Sequence, residues 1–163
     1  MIIEFNPTSK NIAEIKQIIK DQGDTVCQDQ MSIETIRDQI SSFDFGFIQY
    51  SEKAKIGKKH SKKFSDNYIL DGFIVCSIVP DDDYELEIKI VCSRKHSRIG
   101  KTLMEMVEEH SISIGIERIM LFALPEPRLK KWYESLGYKH ITDITMKQDG
   151  KRVVKVHMMR KTF

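Results

Sequence analysis

Apolar and polar residues change period several times along this chain, and each change marks an element. Ile2, Ile3 and Phe5 form a short apolar strand closed by Asn6-Pro7. Ile12, Ile15, Ile18 and Ile19 recur at helical spacing until Gly23. Ile33, Ile36 and Ile40 repeat that stripe behind Ser32, a suitable N-cap. Phe43, Phe45, Phe47 and Ile48 suggest a strand, and residues 68–80 (YILDGFIVCSIVP) have the apolar density of a central one, with Gly72 as a bulge or twist point. Leu86, Ile88 and Ile90 alternate with Glu85, Glu87 and Lys89, the signature of a strand with one buried face. Helical spacing returns at Ile99, Leu103, Met106, Val107 and Ile114, and Gly115 ends it.

Residues 118–124 read as a short buried strand. Pro125 and Pro127 open a helix with Leu129, Trp132, Tyr133 and Leu136 on its apolar face and Gly137 at its end. Residues 138–146 and 153–159 make a closing pair of strands joined by Gln148-Asp149-Gly150-Lys151, where Asp-Gly is a specific hairpin signal. The order βααββ–βαβαββ predicts an α/β (α+β) domain built on one mixed sheet.

Composition narrows the class. A chain of 163 residues fits one domain. Its hydrophobic fraction of 40% and charged fraction of 31% are those of a globular protein with a core of its own. A net charge of +2 is too small to argue for a nucleic-acid binder from the total alone, and none is expected as a partner. The basic run at 53–63 (KAKIGKKHSKK) is either an electrostatic site for an acidic partner or a solvated hairpin loop; it lacks aromatics to stack on bases. Asp81-Asp82-Asp83 reads as a hairpin tip in preference to a carboxylate metal site, because Asp is a turn residue. Cys27, Cys76 and Cys92 are odd in number and widely spaced, so they are expected as core thiols in a reducing compartment. No Cys/His group has metal-ligand spacing, so no metal is expected. The start MIIEFNP has no signal-peptide pattern and no apolar run approaches the roughly 18 residues of a membrane span, so a cytoplasmic protein is expected.

Chemistry concentrates where the Glu85 strand meets the Ile99 helix. Arg94, Lys95, His96, Ser97, Arg98, Gly100 and Lys101 fill the turn between them. The first turn of a helix leaves N–H groups without partners and its positive dipole end outward, which suits an anion such as a diphosphate. A solvated connection would have the same composition.

Together with LPEPRLKKWYESLGY at 124–138, this stretch resembles the GNAT superfamily of acetyl-CoA-dependent N-acetyltransferases. The family's loop is Gln/Arg-x-x-Gly-x-Gly/Ala. With the final glycine on Gly100, Lys95 stands at the Gln/Arg position and Arg98 at the first glycine, while Ile99 and Leu103 fit the hydrophobic pattern. Trp132-Tyr133-Glu134-Ser135-Leu136-Gly137-Tyr138 matches the aromatic-Tyr-x-x-Leu-Gly-Phe/Tyr ending, and the usual Asn and Ala before that tyrosine are Glu126 and Leu129 here. The resemblance covers residues 67–140 well and the flanks by element order.

The resemblance implies one GNAT-like domain over 1–163: a mostly antiparallel sheet with about four helices, a splayed central strand and a C-terminal hairpin. It implies acetyl-CoA as co-substrate and a primary amine, on a small molecule or a protein, as acceptor. By it, Lys95, His96, Ser97, Arg98, Ile99, Gly100 and Lys101 hold the diphosphate, the backbone of Ile90, Val91 and Cys92 pairs the pantetheine arm, and Glu126, Leu129 and Trp132 flank the cofactor. Glu87, then Glu85, is the expected base, and Tyr133 the expected acid; otherwise these are the polar face of a strand and a core aromatic. Direct attack in a ternary complex needs no covalent cysteine. The alternative is a non-catalytic GNAT-like protein that binds CoA or a partner. The sequence is compatible with a homodimer and does not fix the acceptor.

Overall fold

The computed structural model describes residues 1–28, 30–54, 62–81, 83–148 and 152–163. The elements run β1 (Ile2–Phe5), α1 (Ile12–Val26), α2 (Ile33–Ser41), β2 (Phe45–Glu52), α3 (Phe64–Asn67), β3 (Tyr68–Val79), β4 (Glu85–Ser93), α4 (Ile99–Ser113), β5 (Arg118–Ala123), α5 (Pro127–Ser135), β6 (Lys139–Gln148) and β7 (Arg152–Thr162). The expected order holds, with α3 added. That helix is a single turn, too short to leave a periodic signature. Most of the basic run at 53–63, Asp82 in the acidic turn, and the Asp149-Gly150 turn lie outside the described residues.

The strands are hydrogen-bonded in the order β1-β2-β3-β4-β5-β7-β6. β1–β2, β5–β7 and β6–β7 are antiparallel and β4–β5 is parallel. The chain divides into two compact units, 1–75 with 90–107, and 76–89 with 108–163.

In the first unit the isoleucine stripes do what their spacing predicts. Ile15, Ile18, Ile19 and Val26 of α1 and Ile36 and Ile40 of α2 pack with Phe5, Ile48, Leu70, Phe73, Val75 and Ile90. Each such side chain contributes roughly 1.5–3 kcal/mol when fully buried. Ser32 caps α2, its hydroxyl accepting from the Thr35 N–H at 3.2 Å. Gly72 serves close approach: a Cβ there would lie 2.7 Å from Ile99 Cγ2 and 3.0 Å from the Cys92 carbonyl oxygen. The start of α4 can therefore settle directly on β3.

In the second unit, β4–β5 pairing runs only from Leu86↔Ile119 to Ile88↔Leu121. It stops well before β4 itself ends at Ser93, as expected of a splayed central strand. The β6–β7 hairpin is longer and holds a register shift between His140 and Thr142.

Candidate active site

The turn after β4 belongs to the first unit. Arg94 is committed to β3: its N–H donates to the Asp71 carbonyl at 3.0 Å, and its Nε lies 3.2 Å from Asp71 Oδ1. Ser97 closes the turn onto the Arg94 carbonyl through its N–H (3.3 Å) and Oγ (2.8 Å). The left-handed residue is His96, with φ 61°; Arg98, at the place of a family glycine, has no positive φ. An arginine is therefore accommodated there without strain. The Arg98 carbonyl accepts the Thr102 N–H at 3.1 Å, beginning α4. The N–H groups of Ile99, Gly100 and Lys101 then have no intrahelical acceptor. Lys95, His96, Ser97, Arg98 and Lys101 are exposed around them, whereas Gly100 is buried and Ile99 half-buried against Gly72. This one turn thus collects the whole expected loop set.

Ile90, Val91 and Cys92 form the last part of β4. The expectation of three free core thiols is corrected here. Cys92 is disulfide-bonded to Cys27, which caps the C-terminus of α1, with Cα atoms 4.8 Å apart. Both are buried, as expected, but 65 residues separate them, and no local spacing announces the pairing. Cys76 is free and buried. Burial, and then the charge of Glu87, push its thiol well above the usual range.

The candidate acid–base residues lie in the second unit. On β4, Leu86 and Ile88 are buried and Glu85 and Glu87 share the opposite face. The two carboxylates differ. The Arg160 guanidinium grips Glu85 through Nε to Oε1 and through Nη2 to Oε2, the latter at 3.2 Å. Glu87 is half-buried, and desolvation raises its pKa above the ordinary glutamate value, against a smaller opposing effect of Lys89.

On α5, Glu126 is the N-cap and Pro127 follows it in the first turn. Leu129 and Trp132 are half-buried, and the Trp132 ring lies 4.9 Å from that of Tyr133. Tyr133 is only 8% exposed. Burial pushes its phenol well above the usual value, so the neutral form holds at physiological pH. Its hydroxyl has no hydrogen-bond partner among the described residues, and it is not among any sealed, unsatisfied polar atoms. A buried ring with an available hydroxyl is suited to donate to something that arrives.

Two further polar groupings escaped the sequence reading. Glu108 Oε1 accepts from the Tyr138 hydroxyl at 3.3 Å while Glu108 Oε2 accepts from Lys161 Nζ at 2.9 Å. On β6–β7, His140 and His157 both face Asp143. The partners lie 30 and 53 residues apart around Glu108, and 3 and 14 around Asp143, so local spacing and hairpin register were usable signals only for the second grouping.

No family model matches the chain, and comparison with curated proteins finds no match. Solved structures do match over essentially the whole chain. The structure of Arabidopsis thaliana NAA60 in complex with acetyl-CoA superposes with a TM-score of 0.66 at 13% identity, covering 100% of this chain and 98% of that one. An N-acetyltransferase from Staphylococcus aureus Mu50 gives 0.64 at 13%, covering 99% and 97%. An aminoglycoside 6'-acetyltransferase type Ii gives 0.62 at 18%, covering 99% and 96%. The chain therefore has the GNAT fold: among the described residues, a seven-stranded, mostly antiparallel sheet with five helices.

Proposed function

We propose that this chain is an acetyl-CoA-dependent N-acetyltransferase of the GNAT superfamily, moving the acetyl group to a primary amine by direct attack. The observation that carries the reading is the run from β4 into α4. The strand outlasts its pairing with β5 and passes through a basic turn into a helix start whose N–H groups need an acceptor. The fold shared with acetyl-CoA-bound and N-acetyltransferase structures supports the same chemistry.

The residues fit such a cofactor in donor type. Main-chain N–H groups of Ile99, Gly100 and Lys101 hold the diphosphate, with Lys95, Arg98 and Lys101 supplying positive charge. The backbone of Ile90 and Val91 offers strand-type hydrogen bonds to the pantetheine amides. Acetyl-CoA supplies the activated thioester; the protein supplies position and proton management.

An ordinary alkylamine, with pKa about 10.4, costs roughly 4 kcal/mol to deprotonate at neutral pH. Glu87, directly or through a water, takes that proton as the amine nitrogen bonds to the thioester carbonyl carbon and the C–S bond breaks. Its raised pKa makes it a better base than an exposed carboxylate, and it outranks Glu85, which Arg160 already holds. Tyr133 donates a hydrogen bond to the departing sulfur. A phenol above pKa 10 gives its proton to a thiolate of about 8.5 only at a cost of roughly 2 kcal/mol or more, so Tyr133 acts chiefly by hydrogen bonding. A covalent acetyl-cysteine is disfavoured: Cys27 and Cys92 are bonded to each other, and Cys76 is buried with its thiolate suppressed.

The test is a thermal melt with and without acetyl-CoA, followed by a primary-amine panel read by release of free CoA thiol. A rise in Tm at saturating cofactor and thiol release with at least one amine are expected. No shift in Tm removes the reading. A shift without thiol release across the panel leaves a CoA-binding protein and removes the enzyme.

A further inference from the structure

The β6–β7 hairpin brings three metal-ligating side chains to one point. His140 Nε2 and His157 Nδ1 lie 2.7 and 2.6 Å from the same oxygen, Oδ1 of Asp143. Candidate ligand atoms of all three lie within 4.8 Å of one another, a grouping found once among the described residues. His157 stands directly opposite Asp143 in the antiparallel register. His140 precedes Asp143 by three positions, and in a regular strand such residues face opposite sides. The register shift between His140 and Thr142 reverses that parity. Such irregularities recur where a strand must re-aim a side chain.

We propose that His140, Asp143 and His157 form a binding site for a borderline transition-metal dication, Zn2+ first, with water completing its coordination. Two imidazoles and a carboxylate are a donor set suited to this ion, at about 2.0–2.2 Å from each atom. Tetrahedral placement needs ligand atoms about 3.3 Å apart. Each ring nitrogen must therefore move roughly 0.7 Å away from Asp143 Oδ1, while ligand atoms up to 4.8 Å apart close toward about 3.3 Å around the ion. The three side chains are 30%, 28% and 22% exposed, which leaves room for that rotation and for water. Binding requires the near nitrogen of each ring to carry no hydrogen, so that its lone pair faces the metal. Lys155 Nζ contacts the other carboxylate oxygen, Oδ2, at 3.4 Å. It therefore leaves Oδ1 to the metal, and at 69% exposure it can turn outward. The site lies in one hairpin and does not depend on the acetyl-transfer reading.

The experiment is calorimetric titration of Zn2+ into the full chain after chelator treatment, without reductant so that Cys27 and Cys92 stay paired. One ion per chain is expected. Removing an outer-shell partner of a metal site typically costs 10–100-fold in affinity. Removal of a ligand in His140→Ala, Asp143→Ala or His157→Ala should weaken binding by about 100-fold or more, and His110→Ala should leave it unchanged. Co2+ added to the unaltered protein gives a check that survives a misfolded variant: an intensified visible band, displaced by Zn2+, is expected. Absence of one-to-one binding, parental affinity retained in the three variants, or the spectrum of aqueous Co2+ would each overturn the site.

Discussion

Arg160 clamps the carboxylate of Glu85 with two guanidinium contacts, while Glu87, two residues along the same face of β4, is half-buried with its pKa raised by desolvation. One strand face thus carries a structural carboxylate and a chemically poised one. Arg160 makes the difference, and it arrives from β7.

The pair separates by mutation. Glu87→Gln should lower kcat by about 10²–10⁴-fold, the usual worth of a general base, with little loss of stability. Glu85→Gln should instead destabilise by about 1–3 kcal/mol through loss of a charged hydrogen bond. Steady-state kinetics and urea melts on both variants decide; the opposite pattern would exchange the two roles.

The pH dependence follows from the direction of the Glu87 shift. A carboxyl whose folded pKa is raised stabilises the fold below its unfolded value, about 4.3, and loses that contribution as pH rises through the folded pKa. Glu87→Gln should therefore gain stability relative to the parent as pH rises across that window. The acid limb of kcat/KM should lie above 4.3 in the parent and vanish from the residual activity of the variant. Melts and rate profiles across acidic pH measure both.

Tyr133→Phe keeps the buried ring and removes a hydroxyl without a described partner. Tm should hold within a few degrees while kcat falls about 10–100-fold and acetyl-CoA affinity barely changes. Because burial raises the phenol, no alkaline loss of activity from Tyr133 is expected below about pH 10. Unchanged kcat in the phenylalanine variant would retire the assignment.

The turn before α4 tolerates change unevenly. His96→Gly relieves a left-handed non-glycine residue and should be neutral or stabilise by about 1 kcal/mol. Gly72→Ala drives a methyl against Ile99 Cγ2 and the Cys92 carbonyl, and should cost about 1–3 kcal/mol while raising the KM for acetyl-CoA. Denaturant melts and cofactor titration report the two effects.

The Cys27–Cys92 bond spans 65 residues, and closing a loop of that length is worth about 4 kcal/mol by chain entropy. Reduction, or Cys27→Ser with Cys92→Ser, should lower Tm accordingly. Thiol titration of the unreduced protein should find one group in denaturant, Cys76, and three after reduction. Three thiols before reduction would contradict the pairing.

Local pattern determined much of this protein. Isoleucine spacing fixed α1 and α2, alternation fixed β4 and its two carboxylates, and the glycine-containing motifs around Gly100 and Gly137 pointed to the GNAT fold and its candidate loop. These signals are legible because backbone geometry converts short sequence periods into faces. Tertiary structure decided what no period encodes: the Arg160 clamp on Glu85, the Cys27–Cys92 bond, the placement of backbone strain on His96 and not on Arg98, and the meeting of His140 with His157 at Asp143. Each depends on strand register, a bulge, or the packing of distant elements, so the partners meet only once the chain has closed on itself.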